Sequence, residues 1–392
     1  MPTPDDPHQS ITRRVADLAD EVWATACALH ADPECAFDEH RAAALLSTAL
    51  ERGGYGVRRG VAGMPTAFTG EAGSGGPSVA LLMEYDALPG MGHACGHNLI
   101  AAAGLGAALA VRPLLDRVPG RVLAVGSPAE EGGGGKVAEV RAGVFDGVDA
   151  ALMVHPGVHS WSWAPLTAQV ELEVVFHGRA AHPTGNPAEG RDALAALVQL
   201  YTTLGALRPH LPPGAHVQGI ITEGGVATNV VPDRAVGRFG LRAATTTALR
   251  GLVDRVEEAA RSMAWVTETT VEVHALREPY AHFRRNEALA DRFAEHLPFA
   301  LALPTPGVQL GSSDMGNVSV EVPAIHPFLA ITGPGGSDHT PEFARAAAGP
   351  RAREVVLAAA EALAHTAADV LLDDGLRERA WAEFRERGRV EA

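Results

Sequence analysis

Glu84-Tyr85-Asp86-Ala87-Leu88-Pro89-Gly90-Met91-Gly92-His93-Ala94-Cys95-Gly96-His97-Asn98 follows directly on the apolar run Val79-Ala80-Leu81-Leu82-Met83. A strand-like run that empties into a turn crowded with carboxylate, thiol and imidazole groups places donors where α/β sheets bind their ligands, beyond the carboxyl ends of the strands. Cys95 and His97 are separated by Gly96 alone, so a turning backbone can aim both at one point. Thiolate, imidazole and carboxylate together suit a borderline-soft divalent ion such as zinc. A structural zinc finger needs further cysteine pairs, and the chain has only three cysteines. The stretch reads as half of a catalytic metal site.

Later strand ends supply the other half. Val122-Leu123-Ala124-Val125 runs into Ser127-Pro128-Ala129-Glu130-Glu131 and the glycine run Gly132 to Gly135. Adjacent carboxylates point different ways, so one can ligate metal while the other serves as a general base. Ala150 to Val154 delivers His155-Pro156, and Ile325 to Ile331 leads through a Gly-rich loop to Asp338-His339-Thr340. Taken singly, each has a plainer reading: a strand-end His is more often structural, a Glu-Glu pair solvated, and a lone cysteine a small buried hydrophobe. Four strand ends that all carry donors of the right type rarely arise by chance. His93, His159, His177 and His326 lie near the same motifs and take the structural reading, with His93 the best candidate to support a ligand from behind.

These motifs resemble the aminoacylase and carboxypeptidase-G family of two-metal peptidases, the twentieth metallopeptidase family. Within it the resemblance is to the branch of aminobenzoyl-glutamate hydrolase and the basic-dipeptide hydrolases of the "peptidase domain-containing protein 2" group. The matching stretches are Glu84 to Leu99, Pro128 to Gly135, His155-Pro156, Ala181-His182-Pro183, Thr228 to Pro232, Gly311 to Asn317 and His339-Thr340, in family order from about Asp32 onward. One departure stands out: many members carry a His where this chain has Glu84, so the Cys-x-His version of the site replaces the His-x-Asp version. The resemblance implies that Cys95, His97, Glu131, His155 and His339 hold two divalent metal ions, with Cys95 bridging or approaching both. Zinc leads among the candidate ions, and manganese and cobalt also suit the set. By the same resemblance Glu130 is the general base, and Asp86 orients ligands without being one.

Composition bounds the alternatives. A chain of 392 residues exceeds the size at which a single core stops growing, so two domains are expected. A hydrophobic share of 46% with 20% charged residues describes a globular chain. The formal net charge of −15 argues against nucleic acid and anionic membrane as partners. Lys136 is the one lysine, and every other basic residue is arginine. Three cysteines cannot form a disulfide framework in so long a chain, and the polar stretch Met1 to Arg14 lacks the apolar core of a signal peptide, so the expected compartment is the cytoplasm. No run is read as reaching the roughly 18 apolar residues of a spanning helix.

Helical spacing covers Ile11 to His30, Asp38 to Glu51 with Asp38 as N-cap and Gly53-Gly54 as its stop, and the Ala-rich Leu99 to Leu115. Between about Leu166 and Ala275 the pattern changes to strand Val170 to Phe176, helix Arg191 to Leu207, strands His216 to Thr222 and Asp233 to Arg242, helix Thr246 to Met263, and strand Thr269 to His274. That β-α-β-β-α-β order is the ferredoxin-like motif. With the resemblance, the expected fold is α/β, with a zinc-peptidase-like catalytic domain of mixed sheet and flanking helices at 1–165 and 277–392. A ferredoxin-like lid and dimerisation domain is inserted at 166–276. Within it Asn229 reads plainly as a turn residue and Arg242 as a solvated strand end. By the resemblance, His182 and Asn229 stabilise an oxyanion, Arg242 grips a substrate carboxylate with its guanidinium fork, and His182 acts in the partner subunit of a homodimer.

The expected reaction is hydrolysis of the amide of a small N-acyl amino acid, dipeptide or aryl-amide conjugate with a free carboxylate. Three rivals stand beside it. A cysteine hydrolase built on Cys95 and His97 leaves the Glu130-Glu131 pair without a job. A metal-binding protein without catalysis leaves the base Glu130 idle. A metal-dependent deaminase of an aromatic amine keeps the metals and changes the product to ammonia.

Overall fold

The computed structural model describes residues 6–333 and 335–391. Met1 to Asp5 of the polar N-terminal stretch, Pro334 of the Gly333–Ser337 loop, and Ala392 lie outside the described residues. The chain forms two compact units. The first runs through Pro165 and resumes over Phe283–Val308 and Asp314–Val390; the second comprises Leu166–His282, Gln309–Ser313 and Glu391. The second unit extends past 276 because Tyr280 exchanges backbone hydrogen bonds with Gln169, and Gly311 O accepts from both the N–H and the hydroxyl of Thr167.

In the first unit, α1 (Pro7–Ala31) buries Ile11, Val15, Leu18, Val22, Ala26 and Leu29, the three-and-four spacing of one helix face. Helix α2 (His40–Arg52) starts later than its sequence signals imply. Asp38 is not the N-cap, because its backbone is committed to a turn, donating to Cys35 O and accepting from His40 N. Glu39 takes the cap position and turns its carboxylate to the N–H groups of Phe37 and Ala129 instead. Next come β1 (Gly56–Arg59), β2 (Phe68–Ser74), β3 (Ser78–Glu84), α3 (His97–Val111), β4 (Gly120–Ser127), α4 (Gly135–Arg141), β5 (Ala150–Leu152) and β6 (His155–Gly157).

The second unit holds β7 (Ala168–His177), α5 (Ala193–Leu207), β8 (His216–Glu223), β9 (Arg234–Ala243), α6 (Thr246–Val266) and β10 (Thr270–Ala275). The first unit then resumes with α7 (Glu287–Glu295), α8 (Met315–Ser319), β11 (Ala324–Ile325), β12 (Phe328–Ala330), α9 (Pro341–Ala346), α10 (Pro350–Leu372) and α11 (Asp374–Glu391).

The main sheet has the order β1-β2-β4-β3-β5-β11 and is mixed: β1, β2 and β4 pair antiparallel, while β3 is parallel to both β4 and β5. All seven residues of β3 are buried, as expected of a central parallel strand covered on both faces. Helix α3, buried along its whole length, packs on β3 and against α1 and α10. At Gly104 an added Cβ would lie 2.6 Å from Leu82 O, so glycine is what lets this helix approach the strand. Contrary to the expectation from sequence, two helices are long and apolar enough to span a membrane. His97–Asp116 and Pro350–Leu372 both reach a mean hydropathy of 1.6 over a sufficient length. Most of each lies buried inside the unit, which is why their composition is so apolar.

The second unit has a core of its own, built around Phe176, Leu197, Leu200, Phe239 and Val256. Its sheet order is β10-β7-β9-β8, every neighbour antiparallel, with α5 and α6 packed on β7 and β9 and on each other. Strand β8 forms one edge and exposes Ile220 and Ile221.

Gly104→Val should lower stability by about 1–3 kcal/mol through overpacking, read as a drop in the urea midpoint. Gly251→Ala in α6, where no atom lies within 4 Å of the added Cβ, should raise stability by about 0.5–1 kcal/mol. Equal midpoints for the two variants would contradict the close approach of α3 to β3.

Candidate metal centre

The backbone brings the sequence-predicted donors of the first unit to one place. Asp86 lies two residues beyond the end of β3. Gly96 is left-handed at φ 80°, and a Cβ there would sit 2.5 Å from Pro156 Cγ, so only glycine fits between Cys95 and His97. His97 then enters α3 as its first residue, two positions earlier than the sequence pattern suggests. Beyond β4 the chain turns at Ala129 (φ 60°), whose carbonyl accepts from the N–H groups of Gly133 and Gly134, and this turn presents Glu130 and Glu131. His155 begins β6, paired with Phe328 of β12, and its ring stacks on the Phe328 ring at 4.6 Å between centroids. His339 (φ 54°) donates its N–H to Ala94 O, which ties the last donor to the Cys95 turn.

One buried carboxylate organises the set. Asp86 Oδ1 accepts from His97 Nδ1 at 2.9 Å, and its Oδ2 accepts from the Glu131 N–H at 2.9 Å. With Nδ1 so engaged, His97 Nε2 faces the other way, 3.7 Å from Glu84 Oε2 and 4.0 Å from Glu131 Oε1. That buried nitrogen has no hydrogen-bond partner among the described residues, which suits a lone pair kept for a cation. His155 Nδ1 donates to Pro156 O at 2.6 Å and leaves Nε2 directed at Cys95 Sγ, 3.6 Å away. His339 Nε2 is 3.4 Å from Glu131 Oε1.

Donor atoms of Cys95, His97 and His155 lie within 4.8 Å of one another, as do those of Cys95, Glu131 and His339, and those of His97, Glu130 and Glu131. The first two sets share Cys95. The five expected ligands could therefore hold two divalent ions, with Cys95 common to both sets.

Electrostatics separates the two adjacent glutamates. Burial, then the charges of Glu84 and Asp314, push Glu130 well above its ordinary range. Burial also opposes ionisation of Glu131, but the hydrogen bond with His339 and the charge of His97 outweigh it and hold the carboxyl low. Neighbours pushed apart in this way suit one proton carrier and one permanent anion. Asp86 behaves like Glu131, its burial outweighed by the charge and hydrogen bond of His97. Burial pushes the Cys95 thiol up, whereas ligation by a divalent ion acts in the opposite sense and deprotonates it.

Sequence reasoning missed the network behind these ligands. Lys136, in the first turn of α4, contacts Glu84 Oε1 and donates through Nζ to Asp314 Oδ1 at 2.8 Å, while its N–H donates to Asp314 Oδ2 at 2.9 Å. All three side chains are fully buried. Burial opposes the lysine charge, but Asp314 and Glu84 raise its pKa further and keep it a cation. Two signals were available, since Lys136 is the sole lysine and Asp314 sits in the Gly311–Asn317 motif.

Among the other histidines, His93 packs its ring on His30 and is driven down to about 3, chiefly by burial. His326 stands edge-on to His155, and His159 stacks on Trp161. In the second unit, His182 is exposed and its Nδ1 accepts from Thr184 N and Gly185 N at 3.2 and 3.0 Å. His177, in the same unit, lies 3.4 Å from Glu272. Asn229 is exposed in the turn leading to β9, and Arg242, half-buried near the far end of β9, donates to Ser312 Oγ at 2.7 Å.

Known proteins match along nearly the whole chain. Residues 80–367 fit the family description "Peptidase family M20/M25/M40". The Xaa-Arg dipeptidase of Mus musculus is 36% identical, over 95% of this chain and 90% of its own length. A p-aminobenzoyl-glutamate hydrolase chain of Escherichia coli is 31% identical, over 97% of this chain and 94% of its own. A dinuclear metal binding peptidase of Bacillus subtilis shares the fold at a TM-score of 0.70 and 21% identity, covering 91% of this chain and 99% of its own.

Removing the buried cation tests the network. Lys136→Met leaves Glu84 and Asp314 buried without it and should cost about 3–5 kcal/mol of stability in urea unfolding. A loss below about 1 kcal/mol would show that these carboxylates do not depend on the lysine.

Proposed function

The chain belongs to the peptidase family M20/M25/M40 and is a hydrolase acting on amide bonds, and from that premise we propose a chemistry for its site. The substrate is a dipeptide, N-acyl amino acid or aryl-amide conjugate that carries a free carboxylate. Dipeptides ending in arginine and aminobenzoyl-glutamate come first, on the strength of the two relatives. The observation that carries the reading is Glu130, buried and pushed upward beside two donor sets that share Cys95.

Cys95, His97, Glu131, His155 and His339 would hold two divalent ions, zinc before manganese or cobalt because a thiolate is among the donors. When bound, such a pair polarises the scissile carbonyl and acidifies the attacking water. Glu130 takes the proton from that water and returns it to the leaving amine. Asp86 fixes the tautomer of His97 and the position of Glu131. The chain's three free cysteines suit the cytoplasm as its compartment.

The second unit supplies substrate contacts in this proposal, with Arg242 for the carboxylate and His182 with Asn229 for the oxyanion. Their placement within that unit supports a homodimer. Val231 N donates to Ala181 O, so the His182 and Asn229 turns are neighbours. Those turns adjoin the end of the sheet where His177 pairs with Arg234, whereas Arg242 pairs with Gln169 near the other end. Arg234 and Arg242 are eight residues apart on β9, roughly 27 Å at the strand rise. A small substrate cannot touch both ends of one such sheet, so a second copy would contribute one of them. The edge strand β8, with Ile220 and Ile221 exposed, is the surface through which two copies would pair.

A panel of basic dipeptides, acyl amino acids and aminobenzoyl-glutamate, assayed with metal-reconstituted protein, tests the substrate class; ammonia release without cleavage of the amide would favour deamination. Glu130→Gln should keep its metal and lose about 10²–10⁴-fold in turnover, whereas Glu131→Gln should lose metal as well, as measured by elemental analysis. Equal metal loss would overturn the division of roles. Heterodimers of His182→Ala with Glu130→Gln carry one intact composite site, so random mixing should restore roughly a quarter of wild-type activity. No recovery in verified heterodimers would place His182 in its own subunit's site or outside catalysis.

A further inference from the structure

A second group of imidazoles lies in the first unit and shares no residue with the Cys95 centre. His8 stands in the first turn of α1, His296 follows the last residue of α7, and His365 and Asp369 lie one turn apart on α10. The three ring centroids are 4.8, 4.9 and 5.3 Å apart. One donor atom from each ring lies within 4.8 Å of the others, and the rings line an open surface cavity together with Gln9, Thr12 and Arg13.

Hydrogen bonds fix which nitrogens carry protons. Asp369 faces two of the rings, with His8 Nε2 3.1 Å from Oδ1 and His296 Nε2 2.6 Å from Oδ2. An ionised carboxylate only accepts, so both Nε2 atoms donate and Nδ1 of each neutral ring is a lone pair. Thr12 donates its hydroxyl proton to Glu361 at 2.7 Å, so its oxygen accepts from His365 Nε2 at 3.2 Å. His365 Nδ1 is then a lone pair as well. Yet His8 Nδ1 and His365 Nδ1 stand 2.7 Å apart, and two lone pairs at that distance repel unless a cation lies between them.

We propose that His8, His296 and His365 form a second site for a divalent d-block cation, each binding through Nδ1, with Asp369 setting the tautomers of His8 and His296. A carboxylate behind the outer N–H is how metal-binding imidazoles are commonly oriented. Three nitrogen donors select zinc, nickel, cobalt or copper over magnesium, calcium or manganese. Arg292, 3.3 Å from Asp369 Oδ2, and Arg13 oppose a cation here, while Asp369 and Glu361 favour one. Because the ligands come from α1, α10 and the end of α7, the ion would clamp chain segments far apart in sequence and stabilise the folded state.

The test uses the full chain with the Cys95 centre disabled by Cys95→Ala and Glu131→Gln, so it does not depend on the catalytic reading. Titration with nickel(II) should show one saturable equivalent that disappears on adding His296→Gln or, separately, His365→Gln. Nickel should raise the Tm of the background protein and leave that of either added variant unchanged, with circular dichroism confirming that each is folded. In the otherwise native chain, His296→Gln should change hydrolysis by less than about twofold. Nickel binding that survives both histidine substitutions would overturn the proposal. So would the absence of a saturable equivalent together with a Tm that responds only to pH, which would mean that a proton holds the rings together.

Discussion

Buried negative charge at the ends of β3 and β4 is the constraint on which the rest of the centre depends. Glu84, Asp86, Glu130, Glu139 and Asp314 are all buried, and each carboxylate there must be protonated, paired or ligated to be tolerable. Pairing and protonation both occur within one shell of side chains. Lys136 neutralises Glu84 and Asp314. Glu139 is raised to about 8, mainly by burial, and accepts from Ser127 Oγ. Asp86 is spent on His97 and the Glu131 N–H. What remains is a cluster of lone pairs on Cys95, His97, His155, Glu131 and His339, with Glu130 beside them. Divalent cations held there would complete that charge balance and supply the chemistry of water activation.

Much of this was legible in the sequence because it was local. Strands ending in His, Cys or Glu-Glu announce themselves through apolar runs and turn residues, and β3, β4 and β5 lie where those runs stand. The donors were legible as residue types with known chemistry. The ion network behind them was not, because Lys136 and Asp314 are 178 residues apart and meet only once α4 and α8 are packed. The three-histidine cluster escaped for the same reason, since His8 and His365 are separated by 357 residues.

Local patterns also misled where tertiary structure intervened. Asp38 has the chemistry of an N-cap, yet the turn that accepts its N–H at Cys35 moves the helix start to His40. Gly96 allows His97 to enter α3 at its first position, so the helix begins at the site itself. Helix α10 is buried without a break from Ala362 to Leu371, and such a stretch gives little amphipathic period to read. The same uniform burial explains why α3 and α10 are apolar enough to pass for membrane spans.

The central proposal is that Cys95 would lend its thiolate to a two-ion site. X-ray absorption at the metal edge of zinc-loaded protein tests it most directly. The account predicts a sulfur neighbour at about 2.3 Å, a metal–metal shell at roughly 3.5–4 Å, and loss of the sulfur neighbour in Cys95→Ser. A first shell of nitrogen and oxygen alone in the native protein would contradict it.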